Sequence, residues 1–216
     1  MSAIRAIILD FDGVLVESNE EKTKAFEDLF ALYPAHREAM MEYHLANYSC
    51  PRMMKFEHFV HELMGRSGDV EMIQTMERQF SEFVVRRVRA CPDVPGAREF
   101  LKEFSRQLPL YISSVTPQDE LREIVRARGI ASFFVDVFGD PPFKKSDVIR
   151  AVLEREKLLS SEVIFVGDSA SDYRAAVEAG LEFVGRDSGL PFDGGEVELH
   201  GDLHEIARLV RRRLKE

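Results

Sequence analysis

Two aspartates one residue apart, in the run Asp10-Phe11-Asp12-Gly13-Val14, are the strongest chemical signal in this chain. They follow an apolar, Ile-rich segment, residues 3–9, that reads as a buried strand. Acids at that place lie at the carboxyl edge of a sheet. Carboxylates so close repel each other, and a bound divalent cation relieves the repulsion. Gly13 permits a sharp departure from the strand. The competing reading is a polar turn with two solvated aspartates. A second acidic run, Gly167-Asp168-Ser169-Ala170-Ser171-Asp172, ends another apolar segment, 163–166. Helix capping accounts for Ser169, Ser171 and Asp172, but not for Asp168 at the end of an apolar strand. If the two strands are neighbours, Asp10 and Asp168 share a crevice whose hard oxygen ligands suit Mg²⁺.

Two weaker signals sit at other strand ends. Ser114 closes the segment 108–114 just before a helix, where a hydroxyl and free N–H groups would cradle a phosphate. A turn residue is the simpler reading. Lys144 and Lys145 open a helix after Pro141-Pro142-Phe143. A cation there opposes the helix dipole, which hints that one of the two has an anionic partner.

Positioning these residues takes strands at 3–9, 108–114, 133–138 and 163–166, with weaker candidates at 181–184 and 197–199. Helical spacing of apolar residues predicts helices over 96–106, 118–128, 146–157 and 170–179, two of them stopped by Gly129 and Gly180. Strands alternating with helices imply a doubly wound, mostly parallel α/β sheet covered on both faces, with ligands beyond the carboxyl ends of its strands. Residues 18–91 break that rhythm. Their Phe, Met and Leu residues recur at helical spacing, which predicts four helices in an inserted bundle, with the aromatic and Met stripes as its core. Residues 185–196, rich in Gly, read as a loop.

The four signals in this order, together with the helical insertion, resemble the haloacid dehalogenase superfamily of phosphohydrolases with a helical cap. The phosphoglycolate phosphatase and β-phosphoglucomutase branches are the most similar. The resemblance covers nearly the whole chain. It implies a Rossmann-like catalytic core, 1–17 and 92–216, and a cap, 18–91. It implies that Asp10 is a nucleophile forming an aspartyl-phosphate and that Asp12 is general acid and then base. It further implies that Asp10, the Asp12 backbone carbonyl and Asp168 hold Mg²⁺ with Asp172 behind them, and that Ser114 and Lys145 hold the phosphoryl oxygens. Ser113 and Lys144 remain the alternatives at the last two places. Glu17 departs from the pattern, since many members have Asp there. Members that displace halide lack an acid at the second aspartate position, so Asp12 favours a phosphate ester. The implied activity is a Mg²⁺-dependent phosphatase of a small phosphorylated metabolite, such as a sugar phosphate or a phosphoglycolate-like compound. A phosphomutase is the near alternative, and a catalytically silent binding protein is the alternative of another class. Arg52 and Lys55, in or beside a cap loop at 47–52, are candidates to meet an anionic group of the substrate, against the simpler reading of an exposed basic pair.

Bulk properties narrow the field. The chain has 216 residues, 45% hydrophobic and 31% charged, enough for a packed core. Its formal net charge of −9 argues against nucleic acid as a partner. The basic residues Arg208, Arg211, Arg212, Arg213 and Lys215 alternate with apolar ones, as in the last turns of an amphipathic helix, where cations complement the dipole. Two cysteines make no disulfide framework. No segment has the ~20 apolar residues of a membrane span, and no signal peptide is evident, so the cytoplasm is expected. Neither His58 with His61 nor His200 with His204 has a convincing third zinc ligand.

Overall fold

A computed structural model describes residues 3–47, 50–192 and 194–215. The chain divides into two compact units, one of residues Met1–Asn19 and Cys91–Glu216, the other Glu20–Ala90. The first is built on a six-stranded sheet in the order β3-β2-β1-β4-β5-β6. The strands are β1 (Ala6–Leu9), β2 (Leu110–Ser114), β3 (Asp136–Gly139), β4 (Val163–Gly167), β5 (Glu182–Arg186) and β6 (Leu199–His200), and every pairing is parallel.

Burial follows from this topology. The central strands β1, β2 and β4 are buried at every position, as expected when helices cover both faces of a parallel sheet. Right-handed crossovers place α5 (Ala97–Phe104) and α6 (Gln118–Ala127) on one face, and α7 (Lys145–Glu156) and α8 (Ala170–Glu178) on the other. On the second face Ala6, Ile8, Tyr111, Val163 and Phe165 pack against Val148, Ile149 and Val152 of α7 and Ala176 of α8. The C-terminal helix α9 (Leu203–Arg213) buries Leu203, Ile206 and Val210. Its basic residues are largely paired: Arg211 with Glu103, Arg213 with Glu182 and Arg208 with Glu205.

Apart from β4, which begins at Val163 as predicted, the strands start later than the apolar runs predict. Residues Ala131–Phe133 form a single 3₁₀ turn, and β3 begins only at Asp136. The run predicted as a loop from 185 contributes Gly185 and Arg186 to β5.

The second unit contains α1 (Asn19–Ala31, whose first residue belongs to the first unit), α2 (Arg37–Ala46), α3 (Arg52–His58) and α4 (Val70–Ala90). Helix α3 widens into a π-helical turn at Phe59–Leu63. Phe26, Phe30, Phe56, Phe59 and Phe80 are buried together with Met40 and Met76. The rings of Phe26 and Phe80 are 4.3 Å apart, and Phe30 meets Phe59 edge-on at 4.9 Å, the offset and edge contacts that aromatic quadrupoles prefer. The Phe and Met stripes are therefore the packed interior of this unit. Arg87 joins α4 to Glu21 and Asp28 of α1.

Candidate active site

The chain reverses its direction of travel across the sheet at β1, between β2 and β4, so a crevice opens beyond the carboxyl ends of β1 and β4. Asp10 and Asp168 are the residues that immediately follow these two strands. The Asp10 backbone N–H continues the ladder by donating to the Val166 carbonyl at 2.8 Å. One carboxylate oxygen of Asp10 accepts the Phe11 N–H at 2.7 Å, and the other accepts Lys145 Nζ at 3.1 Å. Oxygens of Asp10, Asp168 and Asp172 all lie within 4.8 Å of one another, and all three side chains are buried.

Two glycines make this convergence possible. Gly13 has φ +70°, in the left-handed region, and a Cβ there would collide with the Asp168 carboxylate. A Cβ at Gly167 would strike Asp172. Asp172 is doubly engaged. It closes a capping box with Ser169 at the start of α8, and it forms a close ion pair with Lys145. Capping is thus one of its roles and not the whole of its setting.

Lys145, the first residue of α7, is buried between Asp10 and Asp172, whereas Lys144 is exposed. The cation placed against the helix dipole has its anionic partners. Burial alone would lower the lysine's proton affinity, but the two carboxylates outweigh it and hold Lys145 above its ordinary value. One ammonium faces three carboxylates, and the acids show the imbalance. Burial pushes Asp10 well above the usual carboxylate range, Asp172 pushes it further, and Lys145 only partly opposes them. Asp168 is raised to about 6, first by burial and then by Asp172. Hard oxygen donors in mutual repulsion are what a divalent cation needs, so the donor set fits one.

Asp12 lies in different surroundings. Its carboxylate accepts three hydroxyl donors, Ser18 at 2.6 Å, Thr116 at 2.9 Å and Ser114 at 3.3 Å. The Ser114 hydroxyl also accepts the Thr116 N–H at 3.1 Å. The adjacent Ser113 hydroxyl is buried with no hydrogen-bond partner among the described residues, whereas Ser114 is tied to Asp12. Helix α6 begins at Gln118, after Pro117, where the sequence predicts it.

Arg52 and Lys55 are not an exposed pair. Arg52 is the first residue of α3; it donates to Ser81 at 3.4 Å, lies 3.5 Å from Glu77 and stands over the Phe80 ring. Lys55 is 2% exposed, with Nζ 3.1 Å from His44 Nδ1 and 5.2 Å from the Phe26 ring centroid. Residues 48 and 49 of the loop predicted at 47–52 lie outside the described residues. Glu17 forms a two-pronged ion pair with the buried Arg186 at the end of β5.

Sequence reading missed Ser18, Asn19 and Thr116, all of which touch these acids. Asn19 Nδ2 donates to Asp168 at 3.3 Å. The available signal was thin: a short polar residue beside an acid motif reads first as a turn or a cap.

A doubly wound parallel sheet with acids and a lysine converging at its switch point is the architecture of an α/β enzyme. Residues 7–186 match the model of the haloacid dehalogenase-like hydrolases, and the chain belongs to that family. It is 28% identical over 193 residues to a phosphoglycolate phosphatase of Vibrio parahaemolyticus serotype O3:K6, covering 84% of this chain and 83% of that one. It is also 28% identical over 189 residues to a phosphorylated carbohydrates phosphatase of Thermotoga maritima, covering 83% of each. The crystal structure of a predicted phosphoglycolate phosphatase from Haemophilus somnus 129pt superposes with a TM-score of 0.77 over 97% of this chain and 99% of that one. At 17% identity the last likeness speaks for the fold.

Proposed function

We propose that this chain is a phosphoric monoester hydrolase that releases phosphate from a small phosphorylated metabolite, a sugar phosphate or a phosphoglycolate-like compound. The observation that carries the reading is the pairing of Asp10 with Lys145 inside the buried carboxylate cluster. Relatives named as phosphatases of phosphoglycolate and of phosphorylated carbohydrates support the substrate class.

Asp10 is the nucleophile. One of its carboxylate oxygens bonds to phosphorus while the bond from phosphorus to the substrate oxygen breaks, leaving an aspartyl-phosphate and an alkoxide. Asp12 protonates that alkoxide, then takes a proton from the water that attacks phosphorus, so phosphate leaves and Asp10 is restored. Lys145 and Ser114 hold the phosphoryl oxygens. For Ser114 this means turning its hydroxyl proton from Asp12 to the phosphoryl group. Losing that donor raises the proton affinity of Asp12 as substrate arrives, which suits an acid about to protonate a leaving group.

The cation would be Mg²⁺, and Asp10, the Asp12 backbone carbonyl and Asp168 would hold it, with Asp172 beside them. Bound there, it supplies electrostatic stabilisation of charge on the phosphoryl group. Residues 18–91 act as the cap that selects the substrate and limits bulk water, on a core of 1–17 and 92–216. Arg52 and Lys55 are the cap candidates to meet an anionic group of the substrate. Both cysteines are free thiols, which accords with a cytoplasmic enzyme.

A panel of phosphorylated metabolites, assayed with Mg²⁺ or EDTA and scored both for phosphate release and for isomerised sugar phosphate, tests this reading. Metal-dependent phosphate release that disappears in Asp10→Asn is expected. Wild-type turnover by Asp10→Asn would remove the covalent mechanism, and isomerisation without release would replace the hydrolase with a mutase.

A further inference from the structure

Asn19 stands at a junction. It is the last residue of the first unit and the first residue of α1, so the chain enters the helical unit through it. Its side chain turns back to the acids, with Nδ2 3.3 Å from Asp168 Oδ2. The contact is close-packed. The space above Gly13 is filled by the Asp168 carboxylate and by Asn19 Nδ2, which would lie 2.9 Å from a Cβ at that position. Gly13, Asp168 and Asn19 therefore share one tight space. The flanking backbone is braced as well: Glu17 N–H donates to the Pro92 carbonyl at 3.0 Å, and Ser18 donates its hydroxyl to Asp12 at 2.6 Å. The polar residues just before the helical unit are thus fastened to the two acids that bound the crevice.

We propose that Asn19 is a positioning residue for Asp168, and that through this amide, cation binding at the carboxylate cluster orders the segment by which the chain enters the helical unit. The inference rests on the reading of Asp168 as a cation ligand. An amide that donates to one carboxylate oxygen fixes the rotation of that carboxylate and leaves its other lone pairs directed elsewhere. Groups that orient a ligand in this way typically change metal affinity by about 10–100-fold. The coupling is reciprocal: if the fixed carboxylate favours the cation, the cation favours the conformation of residues 18–22 in which the amide is held.

The test uses the full chain with Mg²⁺ alone and no substrate. Mg²⁺ affinity is measured by calorimetry, and backbone hydrogen exchange is followed over residues 18–22, for wild type, Asn19→Ala, Asn19→Ser and Asp168→Ala. In wild type, Mg²⁺ is expected to slow exchange in that segment. Asn19→Ala is expected to weaken Mg²⁺ binding about tenfold and to abolish the exchange response while keeping its circular dichroism spectrum. Asn19→Ser, which keeps a short side-chain oxygen able to accept backbone N–H groups at the start of α1, separates helix capping from contact with Asp168. Capping alone predicts wild-type affinity in this variant, and that result would overturn the proposal. Wild-type Mg²⁺ affinity in Asn19→Ala, or an exchange pattern in wild type indifferent to Mg²⁺, would overturn it too. A wild-type chain that binds no Mg²⁺ would instead remove the underlying metal-site reading, and the Asp168→Ala titration distinguishes that failure from the others.

Discussion

Lys145 is the side chain on which the carboxylate cluster balances. It is buried, in contact with Asp10 and Asp172, and kept charged by them against the cost of burial. Removing one partner from a buried ion pair leaves uncompensated charge and typically costs about 3–5 kcal/mol. Lys145→Met should therefore lower the metal-free stability by about that much. Three carboxylates would then face one another with no ammonium between them, so Mg²⁺ should raise the melting temperature of Lys145→Met more than that of wild type. Thermal melts in EDTA and in Mg²⁺ check both parts. Identical melting of the variant and wild type in EDTA would mean that the lysine does not hold the acids together. Gly13 makes a companion case at the same scale. Gly13→Ala forces a side chain into the left-handed region and into the space of the Asp168 carboxylate. It should lose both stability and Mg²⁺ affinity, read by denaturant titration and by calorimetry, whereas Gly129→Ala, which carries the same strain with open space around it, should lose stability alone.

At the scale of elements, α2 and α3 meet through two basic groups. His44 is lowered to about 4, first by burial and then by Lys55, and Lys55 is lowered to about 8, chiefly by burial. Between pH about 4 and 6.5 the unfolded chain binds a proton at His44 that the folded chain refuses, so stability rises with pH across that window and levels off above it. The full span is worth roughly 3 kcal/mol at 1.36 kcal/mol per pH unit. His44→Gln should flatten this limb, and urea midpoints measured from pH 4.5 to 7 would show it; an unchanged slope would mean that His44 is protonated inside the fold. Such pairs are hard to read from sequence, and the reason is physical. Strand ends are legible because a buried apolar run must stop where the chain meets solvent or a site, which is why Asp10, Ser114 and Asp168 stood out. Strand starts are less so, since Phe133 and Phe134 continue an apolar run through a 3₁₀ turn before β3 begins. Lys145 was legible as a misfit with the helix dipole, although its partners lie 135 and 27 residues away. Lys55 was not, because its burial depends on groups brought from other helices, His44 of α2 and the Phe26 ring of α1.

For the molecule as a whole, charge and site have opposite tendencies. The chain carries −9, and the candidate site is itself a cluster of carboxylates relieved by one lysine. A phosphorylated metabolite is an anion, so the long-range field of the protein repels it, and on the proposed reading capture depends on short-range contacts with Lys145, Ser114 and a bound cation. Whole-sequence charge argues against a nucleic-acid partner for the same reason that it bears on kinetics: net charge acts through steering and not through the fold. Raising ionic strength from about 0.01 M to 0.15 M shortens the Debye length from about 30 Å to about 8 Å, which screens the repulsive field while leaving buried contacts largely intact. At saturating Mg²⁺, kcat/KM for a dianionic substrate should therefore stay level or rise up to a few-fold over that range. An enzyme whose surface funnels anions toward its site loses kcat/KM steeply under the same change. A tenfold fall in kcat/KM would reveal a positive funnel that the net charge does not imply, and would shift the proposed origin of substrate capture from Lys145 and Ser114 to the surface around them.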